Sequence, residues 1–156
     1  MKHLNVRTQK GLATVELAIA ATVFFVVMFG VIEVSRLMYT LNVFDEVTRR
    51  GARLASVCPV TENAKVKNLA ILEGRLVNGL GVEHVQLEYL NAAGNIIADP
   101  VAQFIDIVYV RVRITGYRHQ MLIPLLFPEI VPSEYSTTVL AESLGVSPPG
   151  TGTTSC

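Results

Sequence analysis

The spacing of apolar positions changes along the chain, and each change marks a new element. Residues 12–32 read LATVELAIAATVFFVVMFGVI, an apolar run interrupted only by Thr14, Glu16, Thr22 and Gly30. As a helix rising about 1.5 Å per residue, this run is about 31 Å long, matching a hydrocarbon core of about 30 Å. The pattern predicts a transmembrane helix over residues 12–33. Beyond it the apolar positions become one-sided. Val34, Leu37, Met38, Leu41, Phe44, Val47 and Leu54 recur at three- and four-residue steps, as on an amphipathic helix. Asp45 with Arg49, and Glu46 with Arg50, stand four apart in the favourable order for helical ion pairs. Pro59 disfavours helix at Cys58, so a stalk helix is expected over residues 34–58.

A second helix is expected over residues 61–81. Val66, Leu69, Ala70, Leu76 and Val77 fall on one side, and Gly74, Gly79 and Gly81 close it. The spacing then changes to two. Val85, Leu87 and Tyr89 alternate with polar residues, and Asn91-Ala92-Ala93-Gly94-Asn95 reads as a turn. Over residues 104–115, Val108, Val110, Val112 and Ile114 oppose Tyr109, Arg111, Arg113 and Thr115, the clearest strand. Residues 135–143 supply a closing strand. The expected fold class is α+β, with a small antiparallel sheet on the C-terminal half of the long helix. That sheet and the second helix make up a domain over residues 59–144. Between the last two strands, Met121-Leu122-Ile123-Pro124-Leu125-Leu126-Phe127-Pro128 is excluded from a central strand by its prolines. It is a loop or edge, resting on a membrane or neighbouring subunit, or capping the core. Residues 145–156 form a tail expected to be flexible.

Composition supports an anchor plus one small domain. Of the 156 residues 51% are hydrophobic and 17% charged, and the mean hydropathy of +0.44 is high for a soluble chain. The formal net charge is zero, which gives no indication of a nucleic-acid partner. Residues 1–11 contain Lys2, Arg7 and Lys10 and no acid, so the positive-inside rule keeps the N-terminus cytoplasmic and sends the rest across. No A-x-A-like cleavage site follows the apolar run, which continues into EVSRLMY. Two cysteines, Cys58 and Cys156, are present. In an oxidising compartment they are able to bridge, and a loose Cys156 would leave them apart. Glu16 is the costly residue, since an acid at the centre of a membrane helix is penalised by roughly 2.5–3.5 kcal/mol, and by less near the interface.

Gly11 followed by an apolar residue, with Glu16 five positions on, resembles the processing site of type IV prepilins. The resemblance narrows with Glu33-Val34-Ser35-Arg36 at the end of the apolar run and Gly51-Ala52-Arg53 further along. This opening is similar to that of TadE-like proteins, the minor pilins or pseudopilins of bacterial tight-adherence (Tad) pili, and covers about a third of the chain. Arg50 departs from the family pattern, which often has an acid there. The resemblance implies that a prepilin peptidase removes residues 1–11 by cutting between Gly11 and Leu12. It also implies that Glu16 pairs with the new Leu12 amine of a neighbouring subunit during assembly. Implied partners are other Tad pilins and minor pilins, the inner-membrane assembly platform and membrane lipid. The implied location is the inner membrane, with the C-terminal domain in the periplasm or carried into a surface pilus that supports adhesion.

No catalytic constellation is legible. His3, His84 and His119 lack the spacing of a metal site, and neither a nucleophile elbow nor a phosphate-binding loop is present. No enzyme activity, cofactor or metal is expected. Arg111 and Arg113 read as a solvated strand face. Two functions remain: a pilus assembly subunit, or a non-polymerising single-pass scaffold or binding protein with an uncleaved anchor.

Overall fold

The computed structural model describes residues 9–121, 129–146 and 156. The chain divides into two compact units, one through Met38 and one from Tyr39 onward. One helix, α1 (Gln9–Val57), runs through that boundary and stops two residues before Pro59. In the first unit it is long and apolar enough to cross a membrane. An 18-residue window reaches a mean hydropathy of 2.5, and none of it is buried. The hydroxyls of Thr22 and Ser35 donate to the carbonyls of Ala18 and Val31 at 2.8 Å each, so these polar side chains are satisfied within the helix itself.

The second unit packs the C-terminal part of α1 with a short helix, α2 (Asn63–Ala70), and strands β1 (Val85–Leu90), β2 (Tyr109–Ile114), β3 (His119–Gln120), β4 (Glu129–Ile130) and β5 (Tyr135–Leu140). The main sheet has the order β1-β2-β5 and is antiparallel throughout, while β3 pairs with β4 alone. Val110, Val112 and Ile114 are buried, as the period-two pattern requires, and Leu87, Val112 and Thr137 stand in one register row. On the opposite face the carboxylate of Glu88 pairs with Arg111 at 2.6 Å and Arg113 at 3.4 Å. The expected solvated arginine face is therefore an ion-paired one.

Phe44 anchors α1 to this sheet. It is 1% exposed and meets the rings of Tyr117 and Tyr135 edge-on, at 5.0 and 5.8 Å between centroids. The hydroxyl of Thr137 donates to Thr48 at 2.9 Å, and Thr48 donates to the Asp45 carbonyl. Asp45–Arg49 and Glu46–Arg50 form at 3.0 and 3.6 Å on the outer side of the helix. Towards the other end of the sheet, buried Tyr89 donates to Asn63 Oδ1 at 2.8 Å. Burial pushes its phenol up to about 12.

Three expected elements are shorter than their patterns suggested. The strand expected over residues 104–115 begins at Tyr109, because Phe104–Asp106 form a 3-10 turn, and the closing strand expected over residues 135–143 stops at Leu140. The helix expected over residues 61–81 ends at Ala70, because Leu72, Glu73 and Gly74 all take positive φ. The chain reverses there, so Leu76 and Val77 reach the core from a turn. The turn after β1 is built by Asn91, whose side-chain oxygen accepts the N–H groups of Ala93 and Asn95, at 3.0 Å each. Residues 122–128, with the apolar proline segment, and residues 1–8 and 147–155, with most of the leader and tail, lie outside the described residues.

Candidate functional site

Three features of α1 carry chemistry that the packing of an ordinary core helix does not require. The first is its start. Gly11, Leu12 and Glu16 all lie on the helix and are exposed, and a Cβ placed on Gly11 would meet no other described part of the chain within 4 Å outside its own stretch of helix. Leu12 and Glu16 are one turn apart, so they share a face. The Gly11–Leu12 bond thus lies open, one helical turn from the lone carboxylate of the apolar segment. Glu16 lies beyond the first turn of α1, where the helix dipole does little for a carboxylate, whereas an amine at Leu12 would place a full positive charge one turn away.

The second feature is the exit from the apolar run. Arg36 Nη1 donates to both carboxylate oxygens of Glu33, at 3.0 and 3.3 Å. Glu33 is buried and Arg36 partly exposed, so the first two opposite charges after the run neutralise each other within one turn. This lowers the cost of placing either charge near an apolar phase.

The third is the far end of α1, where small residues replace large ones. A Cβ on Gly51 would lie 3.2 Å from Val112 and 3.3 Å from Ala70, closer than most side-chain contacts. Ala52 and Ala55 are fully buried beside it. The backbone of α1 therefore approaches β2 and α2 more closely than a larger residue would permit. The last turn is then capped from far along the chain. The N–H groups of Glu142 and Leu144 donate to the Ser56 carbonyl at 3.1 Å each, and that of Gly145 to Val57 at 2.7 Å. These bonds satisfy carbonyls that a helix C-terminus leaves without partners. Gly145 has a φ of 80°, and a side chain there would collide with Pro59. One residue past the helix, Cys58 is joined by a disulfide to Cys156, with 5.7 Å between the Cα atoms. The Cys156 N–H also donates to Glu62 Oε2 at 3.1 Å. Sequence reasoning missed this cap, because nothing in residues 142–146 indicates which helix end they meet.

Among the described residues no cluster of His, Cys, Asp and Glu is able to hold a metal ion. A family model described as TadE-like protein matches residues 11–53. The match opens on the glycine before the apolar run and closes on Arg53, four residues before α1 ends. No curated protein and no solved structure matches the chain.

Proposed function

We propose that this chain, TadE-like from residue 11 to residue 53, is a minor pilin or pseudopilin that takes part in assembling or priming a Tad pilus. The observation that carries the reading is the apolar part of α1, unburied along its most hydrophobic window and holding one carboxylate, Glu16, near its start. Such a surface needs lipid, or the packed helices of a filament, to cover it. In this reading prepilin peptidase removes residues 1–11 on the cytoplasmic side. The subunit then waits in the inner membrane, with the unit beyond Met38 in the periplasm. When neighbouring helices pack, Glu16 pairs with the Leu12 amine of an adjacent subunit, because a charge in an apolar bundle is tolerable only when paired. The role is structural and not enzymatic, and it supports adhesion through the pilus.

Glu16→Gln tests the mechanism, keeping the side chain's size while deleting its charge. The helix becomes more apolar, so membrane insertion is retained or improved. Pilus formation falls sharply while the subunit accumulates in the membrane. Normal piliation at normal subunit abundance would show that Glu16 has no part in assembly. The alternative, an uncleaved scaffold protein, is distinguished by intact mass, since cleavage after Gly11 shortens the chain and Gly11→Val blocks it.

A further inference from the structure

The Gly51-Ala52-Arg53 step divides into explained and unexplained parts. Gly51 and Ala52 are consumed by close packing. Arg53 is exposed, points away from that packing, and has no ion-pair partner among the described residues, whereas Arg49 and Arg50 on the same side each have one. Val57, one turn further, is also exposed, so the outer stripe of α1 ends on an unpaired cation followed by an apolar residue.

Elsewhere in the same unit lies a surface of opposite character. A groove of about 530 Å³ opens between the Asn91 turn and the segment leading into β2. Its rim holds Ile96, 57% exposed, and Ile105, 96% exposed, with Asp106 beside them. From residue 91 to residue 108 there is no Lys, Arg or His. Asp106 is exposed and has no ion-pair partner among the described residues. The other acid of this stretch, Asp99, is occupied in accepting the N–H groups of Val101 and Ala102. Ile96, Val101 and Ile105 thus leave apolar side chains in water around an unpaired acid, a patch open to a partner.

We infer that this groove receives the Arg53–Val57 stripe of a second copy of the chain, with Arg53 on Asp106 and Val57 against Ile96 and Ile105. Charge complementarity selects this occupant. The groove is acidic and apolar with no cation of its own, and the stripe offers one free cation and one apolar side chain at helical spacing. A basic membrane-binding role for the groove is excluded by its sign, since anionic headgroups repel it. The two surfaces are different patches of one molecule, so the contact is head-to-tail and repeats without closing unless a ring forms. The inference deepens the pilin reading and rests on it for the filament that such a contact would extend. Cleavage at Gly11 and the Glu16→Gln phenotype report on that reading alone, because neither involves residues 53 or 106.

The test uses the full chain in detergent with its disulfide intact. Arg53→Lys keeps the charge and supplies an amine that a carbodiimide couples directly to a touching carboxylate. An equal mixture of isotope-labelled and unlabelled chains separates links between copies from links within one. The expected product is a mixed-isotope peptide joining position 53 to Asp106, abolished by Asp106→Asn. In parallel, Arg53→Asp and Asp106→Arg each weaken self-association roughly tenfold, by placing like charges together, and combining them restores it. Both residues are exposed, so ellipticity and the protected disulfide should stay unchanged in every variant. Coupling of position 53 to a different carboxylate of the second copy overturns the groove assignment. So does a double variant that associates no better than the single ones.

Discussion

Phe25 and Phe44 sit on the same helix, yet Phe25 is 49% exposed and Phe44 is 1% exposed. The backbone is the same in both places, and the surroundings are opposite. Around Phe44 the chain supplies its own cover: Tyr117, Tyr135 and the inner face of the sheet. Around Phe25 the ring contacts among the described residues are with its neighbours on α1, Phe24 at 5.6 Å and Phe29 at 6.2 Å between centroids. Apolar surface of that extent is not stable in water, so its partner is lipid or another helix. One helix thus carries two kinds of apolar face, one consumed by folding and one that folding leaves exposed.

Substitutions should separate the two faces. Phe44→Ala should destabilise the second unit by about 3–5 kcal/mol, through lost burial and the cavity left behind. Phe25→Ala should leave that unit's denaturant midpoint unchanged. Chemical unfolding of both variants in detergent, followed by the near-ultraviolet signal of the tyrosines, checks this. Equal losses in the two variants would remove the distinction between the halves of α1.

The next effect in size belongs to the disulfide. Its cysteines are 98 residues apart in sequence, so the bond encloses nearly the whole of the second unit beyond α1. Replacing both by Ser should cost about 2–4 kcal/mol, mainly by freeing the unfolded chain. The α1 helix and the first unit should be unaffected. Alkylation under denaturing, non-reducing conditions reports whether the parent's thiols are bridged. Two reactive thiols in protein isolated without reductant would mean that the strap at residues 142–146 holds the helix end without covalent help.

Gly51→Val should give the smallest loss, about 1–3 kcal/mol, because a branched side chain must push α1 away from Val112 and Ala70. Gly51→Ala is the sharper probe. The added methyl meets those neighbours at 3.2–3.4 Å, and it gains up to about 1 kcal/mol of helix propensity. A stability near the parent's is therefore expected. A large loss on Gly51→Ala would show that the approach of α1 to β2 has no slack at all.

Local pattern made much of this protein legible. The apolar run, the stop at Pro59, the helical ion pairs and the alternation of Val110, Val112 and Ile114 all follow from residue spacing. Spacing alone is what places a side chain on one face of a helix or strand. The family segment was legible for the same reason, since Gly11, Glu16, Glu33 and Arg36 lie on one uninterrupted element.

Other features depended on residues distant in sequence. Hydrophobicity did not identify Thr40, Thr48 or Ser56 of α1 as buried, because polar and small residues enter a core only where a particular partner or close approach admits them. Thr48 is admitted by the hydroxyl of Thr137, 89 residues away. The second helix stopped early because the chain had to turn Leu76 and Val77 back to a core that its local pattern does not contain. The cap on the end of α1 and the groove facing Asp106 arise in the same way. Each juxtaposes segments whose separate sequences are ordinary, and only the packed domain brings them together. From the sequence alone came the elements and the apolar helix kept outside the core; the tertiary structure decided which charges were left unpaired.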